Sequence, residues 1–338
     1  MNTLVKCFLM KIAIVKISAL GDIVNSMVVL QFIKRHYPNS KIDWIVEKSL
    51  KGILENNNDI DQIHTVNFKK IKKNKSLISL YIELSKIKNF GKYDVVIDLQ
   101  GLIKTAIISW LIDANKVVGF DTYSIRERLA SYVYDQKVSI GYDNNSILRN
   151  VKLVSDALDI NITKNEINRK DPFLFFKSKL SIPESKYIVL IVGSTWESRN
   201  YPKEKYVQIA NLLKKECLVV WGNERERKKA EWMGNESNQI KVMPKLNLDD
   251  LKYLISCSSL LIGNDTGPSH ISWALNTPSI ILFGPTPVER MFQTPSNKAL
   301  KSSSLINHMK LNKKDFSIKE ISVNEIVKIA NQLLKVNS

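Results

Sequence analysis

The stretch from residue 258 to 286 constrains the fold more than any other, because it reads as a complete strand–loop–helix–strand unit. Residues 260–262 (LLI) form a short apolar run that is typical of a buried parallel strand. The polar loop 264–268 follows at once, and an apolar helix begins at Ser269. Residues 279–283 form the next strand. A unit of this kind predicts an open α/β sheet with parallel strands.

The loop 264–268 (NDTGP) lies where open α/β sheets bind ligands, at the carboxyl end of a parallel strand. Thr266 and Gly267 precede a helix N-terminus, whose backbone N–H groups are free to bind an anion. We therefore expect a phosphate at this loop. The alternative is an ordinary strand-to-helix turn in which Asp265 or Thr266 serves only as the N-cap.

Length and composition fit a cytoplasmic protein with two domains. A chain of 338 residues with 44% apolar residues can form two cores. The longest apolar runs, such as 106–112, are too short to span a bilayer, and lysines interrupt the apolar residues that a signal peptide needs. Residues 1–9 are expected to be dispensable. Cys7, Cys217 and Cys257 are too few and too scattered for a disulfide framework or a zinc site.

The net charge of +17 favours an acidic partner, which could be nucleic acid, an anionic membrane surface or a phosphorylated substrate. Lysines are spread over the whole chain, so a solvated lysine-rich surface is the alternative for much of this excess. Charge alone favours a nucleic-acid-binding protein. The chain lacks a basic face interleaved with aromatic residues and lacks a reader motif, so we expect no nucleic acid partner.

The chain contains two similar halves. Strand 12–17 (IAIVKI), the loop 18–22 and a helix opened by Asp22 begin the first half. After a boundary in residues 170–183, the pattern restarts with strand 187–192 (YIVLIV). The alternation predicts two Rossmann-like α/β domains with parallel sheets. A single glycine in the first loop means that the dinucleotide-binding fingerprint is absent.

Further elements are predicted from the same periodicity. They are strands at 41–47, 95–99, 116–120, 217–221 and 240–243, with helices at 146–158, 204–215, 225–233, 248–257 and 323–334. The segment 68–75 (FKKIKKNK) is predicted to be a loop or a helix start. Ser322 and Glu325 have the spacing of a capping box for the last helix.

Polar loops follow successive strands of the second half, at 193–200, 221–226, 265–270 and 284–286. Loops of this kind share one edge of a parallel sheet. The hydroxyls of Ser194 and Thr195, with the guanidinium of Arg199, would suit a pyrophosphate. Glu226 could accept both hydroxyls of a ribose. Together these side chains predict an ADP-shaped site, although Arg199 or Glu226 alone could be an ordinary surface charge.

Asp22 is the candidate general base, because it follows the first strand beside Gly21 and would face the crevice between the halves. The alternative role is that of an N-cap. His270 could bind a phosphate or a sugar, or it could satisfy a local backbone carbonyl. The pair Asp59 and Asp61 imitates a metal-binding DxD motif, but it lies in a polar turn with no strand before it. We interpret it as surface and expect no metal site.

Several segments in combination resemble the lipopolysaccharide heptosyltransferases of glycosyltransferase family 9, and most of all those that add the first heptose. They are KIAIVKISALGDIV, VVIDLQGLIKT, WGNERE, NDTGPSHISWAL and FGPT. The resemblance runs from Met10 to the end and implies a GT-B fold, with two Rossmann-like domains whose parallel sheets face a central cleft. Its implied parts are an acceptor domain 10–175, an ADP-sugar domain 176–320, and a C-terminal helix 321–338 that packs back on the first domain.

The resemblance also implies a reaction. It is the transfer, with inversion and without metal or cofactor, of L-glycero-D-manno-heptose from ADP-heptose to a Kdo residue of Kdo-lipid A in inner-core biosynthesis. The implied protein is a monomer in peripheral contact with the anionic cytoplasmic face of the inner membrane. One alternative is an enzyme that adds a later core heptose, although the motifs around Lys104 and Arg126 favour the first. A non-catalytic nucleotide-binding regulator, which would not need Asp22, is another alternative.

Family roles carry over to individual residues, with Asp22 as the implied base. The implied donor-binding residues are Ser194, Thr195, Arg199, Glu226, Asp265, Thr266, Gly267 and His270, with Leu246 against the adenine; Gly21 and Trp221 complete the predicted donor set. The implied acceptor-binding residues are Lys69, Lys72, Lys104, Arg126 and Arg149. Arg199 stands where the family has a lysine, and Lys69 and Lys72 stand where arginines are usual. These exchanges change the hydrogen-bonding geometry, because only arginine offers a planar fork.

Overall fold

The chain folds into two units that divide between Phe173 and Leu174, in a computed structural model that describes residues 9–308 and 310–336. Each unit contains a six-stranded, wholly parallel sheet. The predicted α/β class with two Rossmann-like units is therefore confirmed. Cys7 and nearly all of the segment expected to be dispensable lie outside the described residues.

The sheet of the first unit places β1 beside β5 at its centre, in the order β3-β2-β1-β5-β7-β8. The strands of this unit are β1 (Lys11–Val15), β2 (Lys41–Glu47), β3 (Gln62–Val66), β4 (Lys92–Tyr93), β5 (Val95–Asp98), β6 (Asp113–Ala114), β7 (Val117–Phe120) and β8 (Gln136–Val138). β4 and β6 form a separate parallel pair. Successive connections run to opposite sides of β1 and β5, and such a switch point opens a crevice for ligands at the carboxyl ends of the strands.

Helices cover this sheet; they correct one expectation and decide between two alternatives for another segment. They are α1 (Leu20–Met27), α2 (Val29–His36), α3 (Phe68–Asn74), α4 (Leu77–Lys88), α5 (Ile103–Leu111), α6 (Ser146–Leu158) and α7 (Lys164–Asn168). The helix expected to open at Asp22 begins earlier, at Leu20, and is interrupted at Val28. The segment 68–75 is a helix that ends where Lys75 adopts a left-handed conformation.

The sheet of the second unit repeats this order as β11-β10-β9-β12-β13-β14, with its switch point between β9 and β12. Its strands are β9 (Ile188–Ile191), β10 (Cys217–Val220), β11 (Ile240–Val242), β12 (Leu260–Asn264), β13 (Ser279–Phe283) and β14 (Asn297–Lys301). Its helices are α8 (Lys203–Leu213), α9 (Glu224–Glu236), α10 (Leu248–Ser256), α11 (Gly267–Ala274) and α12 (Val323–Val336).

The core of the second unit includes the last helix of the chain. α12 packs against α8, β12 and β13, and it contributes Ile326, Ala330 and Leu333 to the apolar core. These contacts of α12 lie within its own unit. That the C-terminal helix packs back on the first domain stays a prediction.

Three edge strands are among the elements that the sequence did not predict. β3, β8 and β14 lie at sheet edges, and their alternation of polar and apolar residues is weak.

Asp59 and Asp61 precede β3, and the Asp61 carboxylate accepts a 2.8 Å hydrogen bond from Ile42 N. Within the ranges described, no helix combines the length and the apolar composition needed to cross a bilayer.

Candidate active site

The carboxylate of Asp265 lies directly after β12 and gathers side chains from three other segments. Its Oδ2 accepts a 2.7 Å hydrogen bond from Thr286 Oγ1 and lies 3.4 Å from Arg199 Nη1 and 3.8 Å from Arg290 Nε. Its Oδ1 lies 3.2 Å from His270 Nε2. Asp265 is fully buried, so its carboxylate orients the two arginines from below the surface of the loop.

Electrostatics keep this buried carboxylate ionised. Burial alone would raise the pKa of Asp265, but the charges of Arg290 and Arg199 and the hydrogen bond to His270 hold that pKa well below its usual range. Neither Arg290 nor Thr286 belongs to the predicted donor set. Thr286 lies in the FGPT motif that the sequence analysis singled out, whereas Arg290 had no signal beyond its charge.

The N-terminus of α11 lies beside this cluster. Thr266 occupies the N-cap position in an extended conformation, but its side chain makes no capping hydrogen bond. Ser269 satisfies two backbone carbonyls of the loop, because its N donates to Thr266 O and its Oγ donates to Asn264 O. The structure therefore places Thr266 and Gly267 where the helix dipole favours an anion, as predicted from the loop. Of the two N-cap candidates in the alternative, Thr266 is the N-cap and Asp265 is not, and anion binding at this loop stays a prediction.

The loop after β9 carries the next predicted donor residues. Arg199 is buried, and its guanidinium lies over the Trp196 ring, 4.7 Å from the ring centroid. Ser194 Oγ is buried, and within the described parts of the chain it has no hydrogen-bond partner. A buried hydroxyl without a partner is costly, so this atom is poised for a ligand. The neighbouring Thr195 is exposed.

Lys229, which the sequence analysis missed, holds both ends of this loop. Its ammonium donates to Val192 O at 2.9 Å and to Tyr201 O at 3.1 Å. Burial lowers the pKa of Lys229 to about 8, although Glu197, Glu204 and Glu226 oppose that shift. Its position one helical turn after Glu226 in α9 was the available signal, but a lysine in a helix rich in charged residues is usually a surface residue.

Glu226 lies in the first turn of α9 and touches the loop after β9. Its carboxylate accepts 2.7 Å hydrogen bonds from Gly222 N and from Asn223 Nδ2. A Cβ atom on Gly193 would overlap the Glu226 carboxyl group, so glycine permits this close approach. The structure therefore brings Glu226 beside the loop of Ser194 and Arg199, and its contact with a ribose stays a prediction.

Two more predicted donor residues lie in the segments after β10 and β11. Trp221 follows β10, and its Nε1 donates to Met243 O at 2.8 Å while its ring packs partly against the core. Leu246 is half-buried in the segment between β11 and α10. Their roles against the nucleotide stay predictions.

In the first unit, Asp22 lies in the first turn of α1, and the N-cap position belongs to Ala19. Asp22 Oδ2 accepts a 3.1 Å hydrogen bond from Ala19 N, and the side chain is half-buried. A carboxylate here is favoured by the helix dipole and satisfies one of the free N–H groups. The alternative of an N-cap aspartate is therefore wrong in detail. Gly21, predicted to bind the donor, is buried within this same turn.

The loops after β1 and β5 meet at the switch point of this unit. Gln100 Oε1 accepts hydrogen bonds from Ile17 N at 2.9 Å and from Ser18 N at 3.2 Å. Lys104 Nζ lies 3.4 Å from Ser18 Oγ, which brings a predicted acceptor cation to the loop that leads into Asp22. This approach of Lys104 to the loop before Asp22 could not be derived from spacing alone, and the roles of both residues stay predictions.

Buried charges that the sequence analysis missed support this edge. Lys16 Nζ donates to Leu99 O at 2.7 Å, and burial lowers its pKa against the opposing charges of Asp22 and Asp98. Asp98 accepts hydrogen bonds from Tyr134 Oη and from the N–H of Gly101, while burial raises its pKa. The signal was a charged residue inside each of the apolar runs IAIVKI and VVIDL.

The other predicted acceptor cations divide by environment. Lys69 Nζ lies 3.0 Å from Ser49 Oγ. Burial raises the pKa of Glu47 at the end of β2, and the backbone N–H of Lys69, 3.4 Å from Glu47 Oε1, and the charges of Lys69 and Lys104 oppose this shift. Lys72 and Arg126 are exposed.

Arg149 is buried and supports backbone. Its guanidinium donates to Ile140 O, Gly141 O and Ser124 O at 2.9, 2.8 and 2.6 Å, and it lies over the Phe120 ring at 4.7 Å. Burial lowers the pKa of this arginine. These contacts give Arg149 a structural task, and its contact with an acceptor stays a prediction. Across the described residues, no group of three or more His, Cys, Asp or Glu side chains could hold a metal ion.

Comparison with known proteins identifies the family of this chain. The model of glycosyltransferase family 9 (heptosyltransferase) matches residues 86–321. Lipopolysaccharide heptosyltransferase 1 of Campylobacter coli is 36% identical over 344 residues, which cover 96% of this chain and 99% of the relative. The enzyme of the same name from Escherichia coli (strain K12) is 26% identical over 288 residues, which cover 82% of this chain and 88% of the relative.

Solved structures share the fold. E. coli heptosyltransferase WaaC with ADP superimposes with a TM-score of 0.81 at 21% identity, and the match covers 96% of this chain and 100% of the WaaC chain. E. coli ADP-heptose lps heptosyltransferase II gives a TM-score of 0.70 at 17% identity, covering 97% and 99%. The predicted GT-B fold class is thereby confirmed. With a family model matched over most of its length and a full-length relative above 30% identity, this chain belongs to glycosyltransferase family 9, the heptosyltransferases.

Proposed function

We propose that this protein transfers L-glycero-D-manno-heptose from ADP-heptose to a Kdo residue of Kdo-lipid A, as a heptosyltransferase of the first kind. The observation that carries the proposal is the cluster in which Asp265 orients Arg199 and Arg290 beside the N-terminus of α11. Two guanidinium groups and a helix N-terminus suit the pyrophosphate of a nucleotide sugar. The full-length similarity to lipopolysaccharide heptosyltransferase 1 supports the choice of sugar and acceptor.

In the proposed donor site, the pyrophosphate lies against Arg199, Arg290 and the N–H groups of Thr266 and Gly267. Ser194 Oγ, which has no partner among the residues described, donates to a phosphate oxygen. Glu226 accepts from the ribose hydroxyls, and Leu246 packs against the adenine. As the bond to the sugar breaks, the negative charge that grows on ADP meets groups already held in place, so little reorganisation is needed.

In the proposed acceptor site, Asp22 removes the proton of a Kdo hydroxyl while its oxygen attacks the anomeric carbon of heptose. ADP leaves from the opposite face, so the configuration at that carbon is inverted. Lys104 and Arg126, with Lys69 and Lys72, attract the carboxylates and phosphates of the acceptor. No metal takes part in this proposal, and the enzyme acts as a monomer at the anionic cytoplasmic face of the inner membrane.

The test is to incubate the protein with ADP-heptose and Kdo-lipid A and to follow the acceptor by mass spectrometry. A gain of one heptose, with inversion seen by NMR and with excess EDTA present, is expected. A parallel reaction offers an acceptor that already carries the first heptose. Transfer only to that acceptor would assign the protein to a later step, and failure with every acceptor would contradict the proposal.

A further inference from the structure

Helix α4 presents apolar side chains to solvent. Leu77, Ile78, Tyr81 and Ile82 are 81%, 75%, 72% and 60% exposed. Their spacing places them on one side of the helix, while Ile87 of the same helix is buried. In α4 this side of the helix faces solvent, and none of the residues that the structure describes covers it. It is therefore available to a partner.

The elements packed next to α4 also expose aromatic side chains. α5 packs against α4 and exposes 67% of Trp110, and the 3₁₀ helix Arg128–Val133 packs against α5 and exposes 74% of Tyr132. We call Leu77, Ile78, Tyr81, Ile82, Trp110 and Tyr132 the apolar face. Single exposed apolar residues are ordinary, but a group on packed elements marks an interaction surface.

Lysines border the apolar face. α3 precedes α4 directly, packs against it, and carries the exposed Lys70, Lys72 and Lys73 without any acidic residue. Lys137 Nζ lies 5.8 Å from the centre of the Tyr132 ring. An apolar surface with tyrosine and tryptophan, bordered by lysines, has the chemistry of a peripheral site for anionic lipid: rings enter the interface and ammonium groups meet phosphates.

We propose that the apolar face, with the lysines of α3, docks the first unit on an anionic bilayer surface. The choice of a membrane as the partner rests on the proposed function, whose acceptor is a lipid. The apolar side chains enter the headgroup region, while Lys70 and Lys73 contact lipid phosphates. The docking places the first unit, which carries Asp22, at the surface from which a lipid acceptor must be taken.

Vesicle flotation tests the docking directly. Vesicles of phosphatidylcholine with about one third phosphatidylglycerol are compared with pure phosphatidylcholine, at low and high salt. The intact protein should float with the anionic vesicles and lose binding as salt is raised. The double variant Tyr81→Ser/Trp110→Ser and the double variant Lys70→Glu/Lys73→Glu should each weaken binding by about tenfold or more. The control Leu305→Ser removes an apolar side chain that is 97% exposed in the second unit, and it should bind as the intact protein does.

Three further measurements separate the possible outcomes. Because the changed side chains are exposed, the Tm and the ADP affinity of both double variants should equal those of the intact protein. Transfer to a deacylated, water-soluble Kdo acceptor should also be unchanged; if the intact protein fails in that reaction but still floats, the proposed function falls and the docking stands. Intact protein that ignores anionic vesicles, or a Tyr81→Ser/Trp110→Ser variant that floats normally, would overturn the docking. The docking would also be overturned if light scattering showed a dimer of the intact protein and a monomer of the Tyr81→Ser/Trp110→Ser variant, because the apolar face would then join two copies.

Discussion

Arg199 Nη1 lies 3.4 Å from Asp265 Oδ2, and this contact joins the loop after β9 to the loop after β12. Both side chains are buried. The two strands are neighbours at the switch point of the sheet, where connections leave in opposite directions and only side chains can bridge the gap. Asp265 therefore fixes the position of the Arg199 guanidinium, which would bind the phosphate, although Asp265 itself would not contact the phosphate.

Asp265→Asn should destabilise the second unit by about 3–5 kcal/mol near pH 7, because it leaves the buried Arg199 without its counter-charge. The pKa of Asp265 is depressed in the folded state, since Arg290, His270 and Arg199 outweigh burial. Its stabilising effect is therefore fully present above the unfolded pKa of about 4 and is lost as pH falls towards the folded value. Urea unfolding from pH 7 to pH 3 should show a steeper loss for the intact protein than for Asp265→Asn. The exposed Asp171→Asn is the control, and equal slopes for all three proteins would contradict the prediction.

Asp22→Asn should lower turnover by roughly 100-fold or more, the usual scale for a lost general base. The amide oxygen can still accept the hydrogen bond from Ala19 N, so folding and ADP affinity should be nearly unchanged. Steady-state kinetics with saturating donor measures the effect. Asp156→Asn, which alters only a surface pair with Lys152, serves as the matched control. Near-normal turnover in Asp22→Asn would remove Asp22 from the base role.

Arg290→Ala should weaken ADP binding by about 1–3 kcal/mol, the range for losing a hydrogen bond to a charged group. Arg199→Ala and Glu226→Ala should have effects of similar size. The control is Arg227→Ala, because Arg227 pairs with Glu224 on the exposed side of α9. Calorimetric titration with ADP checks all four variants. If Arg290→Ala bound ADP as tightly as Arg227→Ala does, Arg290 would be only a partner of Asp265.

Lys229→Met should loosen the loop after β9, because Val192 O and Tyr201 O lose the ammonium that joins them. We expect weaker ADP binding with little effect on acceptor KM, while Lys228→Met, on the exposed neighbouring position, should change neither. Since burial lowers the pKa of Lys229 to about 8 from the ordinary value of 10.5, the unfolded chain holds more protons between these values. Intact protein should therefore gain stability relative to Lys229→Met as pH rises from 8 to 10. Parallel unfolding curves across that range would show that Lys229 is not buried as described.

Lys104→Ala and Arg126→Ala should raise the acceptor KM and leave ADP affinity unchanged, because both lie in the first unit. Added salt should weaken the acceptor before the donor, since exposed charges are screened over about 10 Å at 0.1 M salt. Kinetics with acceptor and donor varied separately decides this, with Lys152→Ala as the control on the surface of α6. An unchanged acceptor KM in both variants would make these side chains a solvated surface and move the acceptor site elsewhere.

The sequence by itself determined most of the central strands and the helices between them, and it predicted the sheet edge that carries the candidate site. The helix over 146–158 and the strand over 279–283 were predicted with the bounds that the structure shows, because their hydrophobic periodicity is local. Polar loops after buried strands made Ser194 and Arg199 candidates in the same way, whereas Asp265 became a candidate donor residue only through the family resemblance. Periodicity and composition are read along the chain, so they locate each loop without showing what it will meet.

Only the tertiary structure decided which side chains come together. Arg290 reaches Asp265, Lys229 spans the loop after β9, and Lys16 lies beside Asp22 and Asp98, all because strand order brings distant segments to one edge. The exposed stripe of α4 shows the same limit from the other direction. Its apolar spacing along the sequence is that of a helix packed on a core, and only the positions of the neighbouring elements leave it open to solvent.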